Sequence, residues 1–274
     1  MASTLLATTM IKRFLLAGIV VCMGVPAFSS IPLTESTFTE IIRVANVVTA
    51  ANKAVAPART NEVFRAPDLV RTGTASRIEM TAPDKTITRV GADTVFTFAP
   101  GGRDILLERG SVLFHSPAGA GGGAIKNHGT AAAVLGTTEI GAILPDGSFK
   151  ILDLEGKVKV TLKSGLSIDL KAGQMIIVSP DGEKFSALMN FNLGKLVPHL
   201  LLVVGFSEPL SSLPLIDAAI QEQNQEIADG RLTEVVSLQT AFFGLDVINR
   251  NTDDSSGLLN AFDQTTVRIS PVQN

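Results

Sequence analysis

Three histidines, a glycine-rich stretch and a set of acidic residues in strand-like surroundings are the parts of this 274-residue chain that could do chemistry. A zinc ion needs converging ligands, most simply close pairs such as H-x-H or H-x-x-x-H. His115, His128 and His199 contain no such pair, and no strand-borne histidine pair precedes a suitable glutamate. His115 and His128 flank the glycine-rich stretch and are read as two solvated loop-edge residues. That stretch, Ala118-Gly119-Ala120-Gly121-Gly122-Gly123-Ala124, satisfies G-x-G-x-x-A formally. A dinucleotide turn must join a strand to a helix whose N-terminus meets the pyrophosphate. Here Ile125-Lys126-Asn127-His128-Gly129 runs straight to another glycine, and Ile125 precedes Lys126 where a phosphate loop requires glycine. The stretch is therefore expected to be a β–β loop. Paired carboxylates could cleave glycosides. Glu79, Glu108, Glu139, Asp153 and Glu155 are the candidates; the plain reading of them is the solvated face of strands, which the alternation around Glu79 supports. No G-x-S-x-G turn is present, and the single cysteine, Cys22, lies in an N-terminal apolar run. No catalytic, cofactor-binding or metal-binding residue is assigned on these grounds, and no cofactor is expected.

The elements around these residues read as short strands. Lys157–Lys163 and Leu166–Lys171 alternate with period two and are joined by Ser164-Gly165, a hairpin signal. Val158, Val160, Leu166, Ile168 and Leu170 are expected to face one core, with Lys157, Lys159, Lys163, Asp169 and Lys171 in water. Asp146-Gly147 marks a second hairpin between Ile140–Leu144 and Phe149–Leu154. Arg77–Met80 and Phe96–Phe98 alternate as well. Glycine-containing breaks recur every 8–15 residues or so from Gly73 to Gly182, which fits a sandwich, a roll or a solenoid-like stack and leaves no room for crossover helices. Past Phe185 the period changes. Leu193, Leu196, Val197, Leu200, Leu201 and Val204 form a helical stripe interrupted by Pro198. Ser211 or Ser212 is placed to cap a second helix carrying Leu213, Ile216, Ala219, Ile220 and Ile227. These stripes are expected either to fold back over the β structure or to stay partly exposed for a partner. The organisation expected is a leader over 1–29, a β domain over 37–185, a helical segment over 190–248 and a loosely ordered tail over 249–274.

The leader reading rests on Lys12 and Arg13, the apolar run Phe14–Val25, and small residues at Ala27 and Ser29, with cleavage near Ser30. The run is short for a bilayer span. Export would put the mature chain in the periplasm or outside the cell, with membrane contact only through this segment if it is retained. Hydrophobic residues make up 45% of the chain and charged residues 18%, enough apolar material for a large core. Tryptophan and tyrosine are absent, so 14 phenylalanines carry all aromatic packing and no aromatic platform for bases or sugars is at hand. The formal charge of −3, with no basic stripe, speaks against nucleic acid as a partner.

Several ordered segments together resemble the FecR family. They are Ala66–Gly73 continuing to Met80, Thr86–Thr94, Leu106–Val112, Ala133–Glu139, Leu154–Val158 and Leu170–Gln174, spanning about residues 60–180. Ala133-Val134-Leu135-Gly136-Thr137-Thr138-Glu139 is similar to the family's VxGTxF segment, with Glu139-Ile140 in place of the usual Phe. Gly73, Gly110, Gly136, Gly156 and Gly173 are read as strand-end glycines needing positive φ, and Arg71, Thr72 and Ser76 as turn residues. The resemblance implies a mainly β extracytoplasmic module. Family regulators carry a cytoplasmic sigma-handling region and a membrane helix before this module. Only 11 residues precede Lys12, so that role is expected not to carry over. The leading expectation is an exported, non-enzymatic envelope protein binding a protein or polymer, with a signalling role among the options. The competing one is an enzyme acting on cell wall or polysaccharide with acidic residues from several strands.

Overall fold

Period-two segments pair as expected, and they build two sheets that share one long strand. A computed structural model of the protein describes residues 32–134 and 136–248; the leader and the tail lie outside the described residues. The front sheet runs β1 (Thr37–Ile42), β5 (Arg77–Thr81), β6 (Ile87–Val90), β8 (Asp104–His115), β11 (Thr138–Ile143), β12 (Phe149–Glu155), β15 (Gln174–Val178) and β16 (Met189–Asn190). The back sheet runs β3 (Val55–Pro57), β2 (Ala45–Val48), β4 (Leu69–Thr72), β7 (Val95–Phe98), β8 again, β9 (Gly123–Asn127), β10 (Thr130–Val134), β13 (Lys157–Thr161) and β14 (Ser167–Lys171). Up to Arg109, β8 pairs with the back sheet; from Gly110 onward it pairs with the front sheet. Gly110 makes that transfer at φ +82°, with Thr94 so close that a Cβ would stand 2.1 Å from its Oγ1. Gly136, Gly156 and Gly173 also adopt positive φ, whereas Gly73 does not and ends its strand in an ordinary conformation.

The sheets face each other across one core. Phe38, Ile78, Met80, Val112 and Phe114 from the front meet Val70, Phe96, Ile105, Ile125, Val158 and Val160 from the back. In place of larger aromatics, Phe38, Phe64, Phe98 and Phe96 form an edge-to-face chain with centroids 5.5–6.4 Å apart. The fold is thus mainly β, a two-sheet sandwich, with a helical segment after it.

That segment folds back over the outer face of the front sheet. Leu113, Ile140, Leu152, Leu154 and Met175 are covered by Phe191, Leu193, Leu196, Leu200, Leu210 and Ile216, forming a second core. The apolar stripe is not one helix. Pro198 and an extended Leu200 split it into α1 (Leu193–Leu196), a 3-10 turn over Val197–His199, and α2 (Leu201–Val204). Past the break the buried face rotates, leaving Val204 exposed. Next comes α3 (Leu213–Ala228), which buries Ile216 and Gln223 and leaves Ile227 exposed, and then α4 (Leu238–Phe242). No described helix is long and apolar enough to cross a membrane.

In the β13–β14 hairpin, Val158, Val160 and Leu170 are fully buried and all five named polar residues are exposed. Leu166 departs from the expectation at 62% exposed, with Ile168 only half-buried. Burial falls toward the turn because the tip of the hairpin projects beyond the core.

Candidate functional site

The five acidic residues separate into distinct environments. Glu108 is exposed, as a strand's solvated face predicts. Glu79 is not: it is 8% exposed and ion-paired at 2.8 Å with Arg89, whose own side chain is fully buried. Alternation misreads Glu79 because helices cover the outer face of its strand, so neither face is solvated. Its other oxygen accepts from the Thr39 hydroxyl at 2.7 Å.

Glu139 and Asp153 are direct partners across β11 and β12, and both are fully buried. They share the face of Phe149 and Ile151, which points into the sandwich core. None of their four carboxylate oxygens has a hydrogen-bond partner. Burial, then the charge of Asp153, drives the Glu139 carboxyl well above the ordinary range. Burial, then Glu155, pushes Asp153 up to about 8. Amides of Ile125, Glu155 and Val158 and the Thr137 hydroxyl offset part of this without closing a hydrogen bond of normal geometry. At neutral pH the pair is held protonated and uncharged. It does not fit glycoside cleavage, since no substrate can reach it.

Glu155 follows a bulge that shifts the register between Thr138 and Glu139, so it lies with Thr138 on the helix-covered side. The Thr138 hydroxyl donates to its Oε1 at 2.6 Å. The same hydroxyl lies 2.9 Å from Nδ1 of His115 and 2.8 Å from the Ser212 hydroxyl, so its one proton is shared among three hydrogen-bond partners. His115 is therefore buried, not solvated, and burial lowers its pKa so that the ring is neutral. Ser212 occupies the N-cap position of α3, but its hydroxyl is committed to the sheet and caps nothing. His115 Nδ1 also lies 3.8 Å from Glu155 Oε1, but serine and histidine meet only through Thr138, so no imidazole contacts the serine hydroxyl. The cluster pins α3 to the front sheet. His128 sits in the tight turn between β9 and β10 at φ +44°, and His199 is exposed with its ring against Phe242. The three histidines do not converge, and no group of three metal-ligating side chains occurs among the described residues.

The glycine-rich stretch joins β8 to β9, two strands paired in parallel without an intervening helix. Arg103 holds it by donating from Nε to the Gly122 carbonyl at 2.6 Å, while its Nη1 meets Asp84 at 2.6 Å. Lys126 is ion-paired to Asp104 at 2.6 Å.

Two buried cations that sequence reasoning missed fasten the helical layer. Arg89 donates to the Val203 carbonyl at the end of α2 and to the Glu208 carbonyl, each at 2.7 Å, and its guanidinium lies 4.4 Å from the Phe206 ring centroid. Lys150 is fully buried and gives its three protons to the carbonyls of Thr240, Ala241 and Phe243 at 3.0, 2.6 and 3.0 Å, at the C-terminus of α4. Burial pulls Lys150 down to about 7, and the carbonyls oppose that pull by favouring the charged form. Gln223 does the same service for α3, accepting from the Leu193 amide and donating to the Phe191 carbonyl, both at 2.8 Å. It packs so close to Gly173 that a Cβ there would lie 2.1 Å from its Nε2. The signal for Lys150 was available: in Phe149–Leu154 apolar residues fall on both faces, Phe149 and Ile151 on one and Leu152 and Leu154 on the other, which marks a strand covered on both sides.

Beside Gln223 an open groove of about 420 Å³ separates α3 from the start of β13 and the end of β14. Lys157 and Lys171 line one wall, Glu222 and Glu226 the other, with Glu155 at its inner end and Ala172, Leu215 and Ala218 completing it.

Residues 68–159 match the family model described as FecR protein. The chain carries a FecR domain. The FecR domain includes Glu79, Arg89, His115, Glu139, Lys150, Asp153 and Glu155, and it ends within β13; α3 and the other helices lie beyond it. Two crystal structures of a proposed anti-sigma factor from Parabacteroides distasonis ATCC 8503 are similar to part of this chain, at 19% and 20% identity with TM-scores of 0.39 and 0.38. In both cases the similarity covers 44% of this chain and 59% of the other. No curated protein matches the chain.

Proposed function

We infer that this is an exported, non-enzymatic protein of the cell envelope, whose FecR domain binds another protein in a signalling-related role. The observation that carries this reading is the FecR domain at 68–159. The leader-like residues 1–29 support export. The carboxylates support a binding role over catalysis: the strongly perturbed Glu139–Asp153 pair is enclosed in the sandwich, and Glu155, which lines the groove, is bound by Thr138. A carbohydrate-cleaving site would need two reachable carboxyl groups flanking a bond.

The test is chemical crosslinking of the full chain in intact cells, followed by fractionation and N-terminal sequencing. The expected result is a mature N-terminus near Ser30, recovery in the envelope or external fraction, and a discrete crosslinked protein. Recovery in the cytoplasm with Met1 intact would overturn export. Turnover of cell-wall or polysaccharide substrates that is lost in Glu155→Gln would overturn the non-enzymatic reading.

A further inference from the structure

Each wall of the α3 groove holds two like charges in an arrangement that is unfavourable by itself. Lys157 and Lys171 stand directly opposite each other in the β13–β14 register, and like charges so placed repel. Glu222 and Glu226 are four apart on α3, where like charges also repel. Among the described residues Lys157, Lys171 and Glu222 enter no ion pair, and Glu226 meets only Arg231, at 3.6 Å. The two walls are opposite in sign, yet no ion pair crosses the groove between them. Elsewhere on the same hairpin a lysine is matched, since Lys159 faces Asp169. The stretch of α3 from Leu215 to Glu226 is about 16 Å long, the length of roughly five extended residues. Small or aliphatic side chains at Ala172, Ala218 and Leu215 leave room for a backbone there.

We propose that this groove binds an extended segment of a partner protein carrying one acidic and one basic side chain, the acid on Lys157 and Lys171 and the base on Glu222 and Glu226. This rests on the partner-binding reading above and specifies its surface. Successive side chains of an extended peptide point to opposite sides. The two charges therefore belong at odd spacing, adjacent or three apart, so that each meets its own wall.

The experiment titrates the isotope-labelled full chain with two pentapeptides, acetyl-Ala-Asp-Lys-Leu-Ala-amide and the even-spaced acetyl-Ala-Asp-Ala-Lys-Leu-amide, following amide resonances. The odd-spaced peptide is expected to shift Gly156, Ala172 and Ala218 saturably, and to bind at least threefold tighter than the even-spaced one. Lys171→Glu and Glu222→Lys each convert a repelling pair into an attracting one. Each is expected to raise the thermal midpoint while weakening the odd-spaced peptide at least fivefold. Absence of saturable shifts, equal binding by the variants, or a lowered midpoint in them would overturn the proposal. Crosslinking separates it from the broader reading. Variants that still capture the wild-type partner overturn the groove alone, whereas a wild-type chain that captures nothing overturns the broader reading.

Discussion

On its outer face the front sheet buries Arg89 and Lys150; on its inner face it buries Glu139 and Asp153. Both cations have partners: Arg89 has a carboxylate and two carbonyls, and Lys150 has three carbonyls. The acids have none, and they face each other. A buried charge is tolerable when its partners replace water, and otherwise the group gives up its charge. So the outer face is directional, with Arg89 charged, Lys150 giving up its proton as pH rises through about 7, and each fixed on the C-terminal end of a short helix, while the inner face is neutralised by protons. The outer interface is specified by polar geometry and the inner one mainly by apolar fit.

The largest break in this comparison is removal of the helical layer. Truncation after Phe185 uncovers Leu113, Ile140, Leu152, Leu154 and Met175 and strips Arg89 and Lys150 of their carbonyls. The shortened chain is expected to self-associate. Sedimentation that shows a monomer as stable as the full chain would mean that the outer interface contributes nothing.

A sharper cut is Arg89→Met, which leaves Glu79 buried beside Thr39 with no cation. Removing one partner of a buried pair costs about 3–5 kcal/mol. Urea unfolding is expected to show a loss of that size, and the double variant Arg89→Met, Glu79→Met should recover much of it. If the double variant is as unstable as the single one, the lost helix contacts outweigh the orphaned charge.

The acids and Lys150 should also respond to pH with opposite signs. The folded chain holds the Glu139 and Asp153 carboxyls above their unfolded values, so it binds more protons than the unfolded chain between about pH 4 and pH 8. Stability contributed by the pair is complete below that window and is lost as pH rises through it. Lys150 is lowered from 10.5 to about 7, so there the unfolded chain binds more protons. Its burial cost is present at low pH and is relieved as pH rises from about 7 to 10.5. Asp153→Asn is expected to flatten the fall between pH 5 and pH 8 and to gain about 2–4 kcal/mol at pH 8. Lys150→Met should flatten the rise at higher pH and free α4, seen as lost amide protection over Leu238–Phe242. Unchanged pH profiles in both variants would refute the assignments.

Much of the sandwich was legible in the sequence because period two and glycine-bounded turns are local signals. The Ser164-Gly165 and Asp146-Gly147 hairpins, the loop reading of Ala118–Ala124 and the break at Pro198 all follow from residues near one another in the chain. The site was less legible because its partners are distant. Arg89 meets Val203 and Glu208, and Lys150 meets Thr240 to Phe243, across separations no periodicity encodes. The solvated readings of Glu79, from strand alternation, and of His115, from its place beside the glycine-rich loop, fail for the same reason: a local pattern does not show what later covers a residue. Glu139 is misread as solvated too, since it and Asp153 lie on the face of Phe149 and Ile151 that the second sheet covers.

The smallest expected effect lies at the hairpin tip, where one pattern gives two outcomes. Leu166 and Leu170 alternate identically in sequence, yet Leu170 is fully buried and Leu166 is 62% exposed. Exposed apolar residues contribute little, and surface substitutions usually fall within about 0.5 kcal/mol. Deleting a buried leucine side chain costs about 2–5 kcal/mol. Leu166→Ser is therefore expected to leave the urea midpoint nearly unchanged, while Leu170→Ala lowers it clearly. The turn itself is held by Gly165 at φ +90° and by its amide donating to the Leu162 carbonyl at 2.9 Å, contacts that do not involve the Leu166 side chain. A loss in Leu166→Ser comparable to that in Leu170→Ala would mean that the tip is covered in solution. Since β14 borders the α3 groove and Leu166 stands in the turn just before it, a partner or a second copy of the chain would then be the first candidate for what covers it.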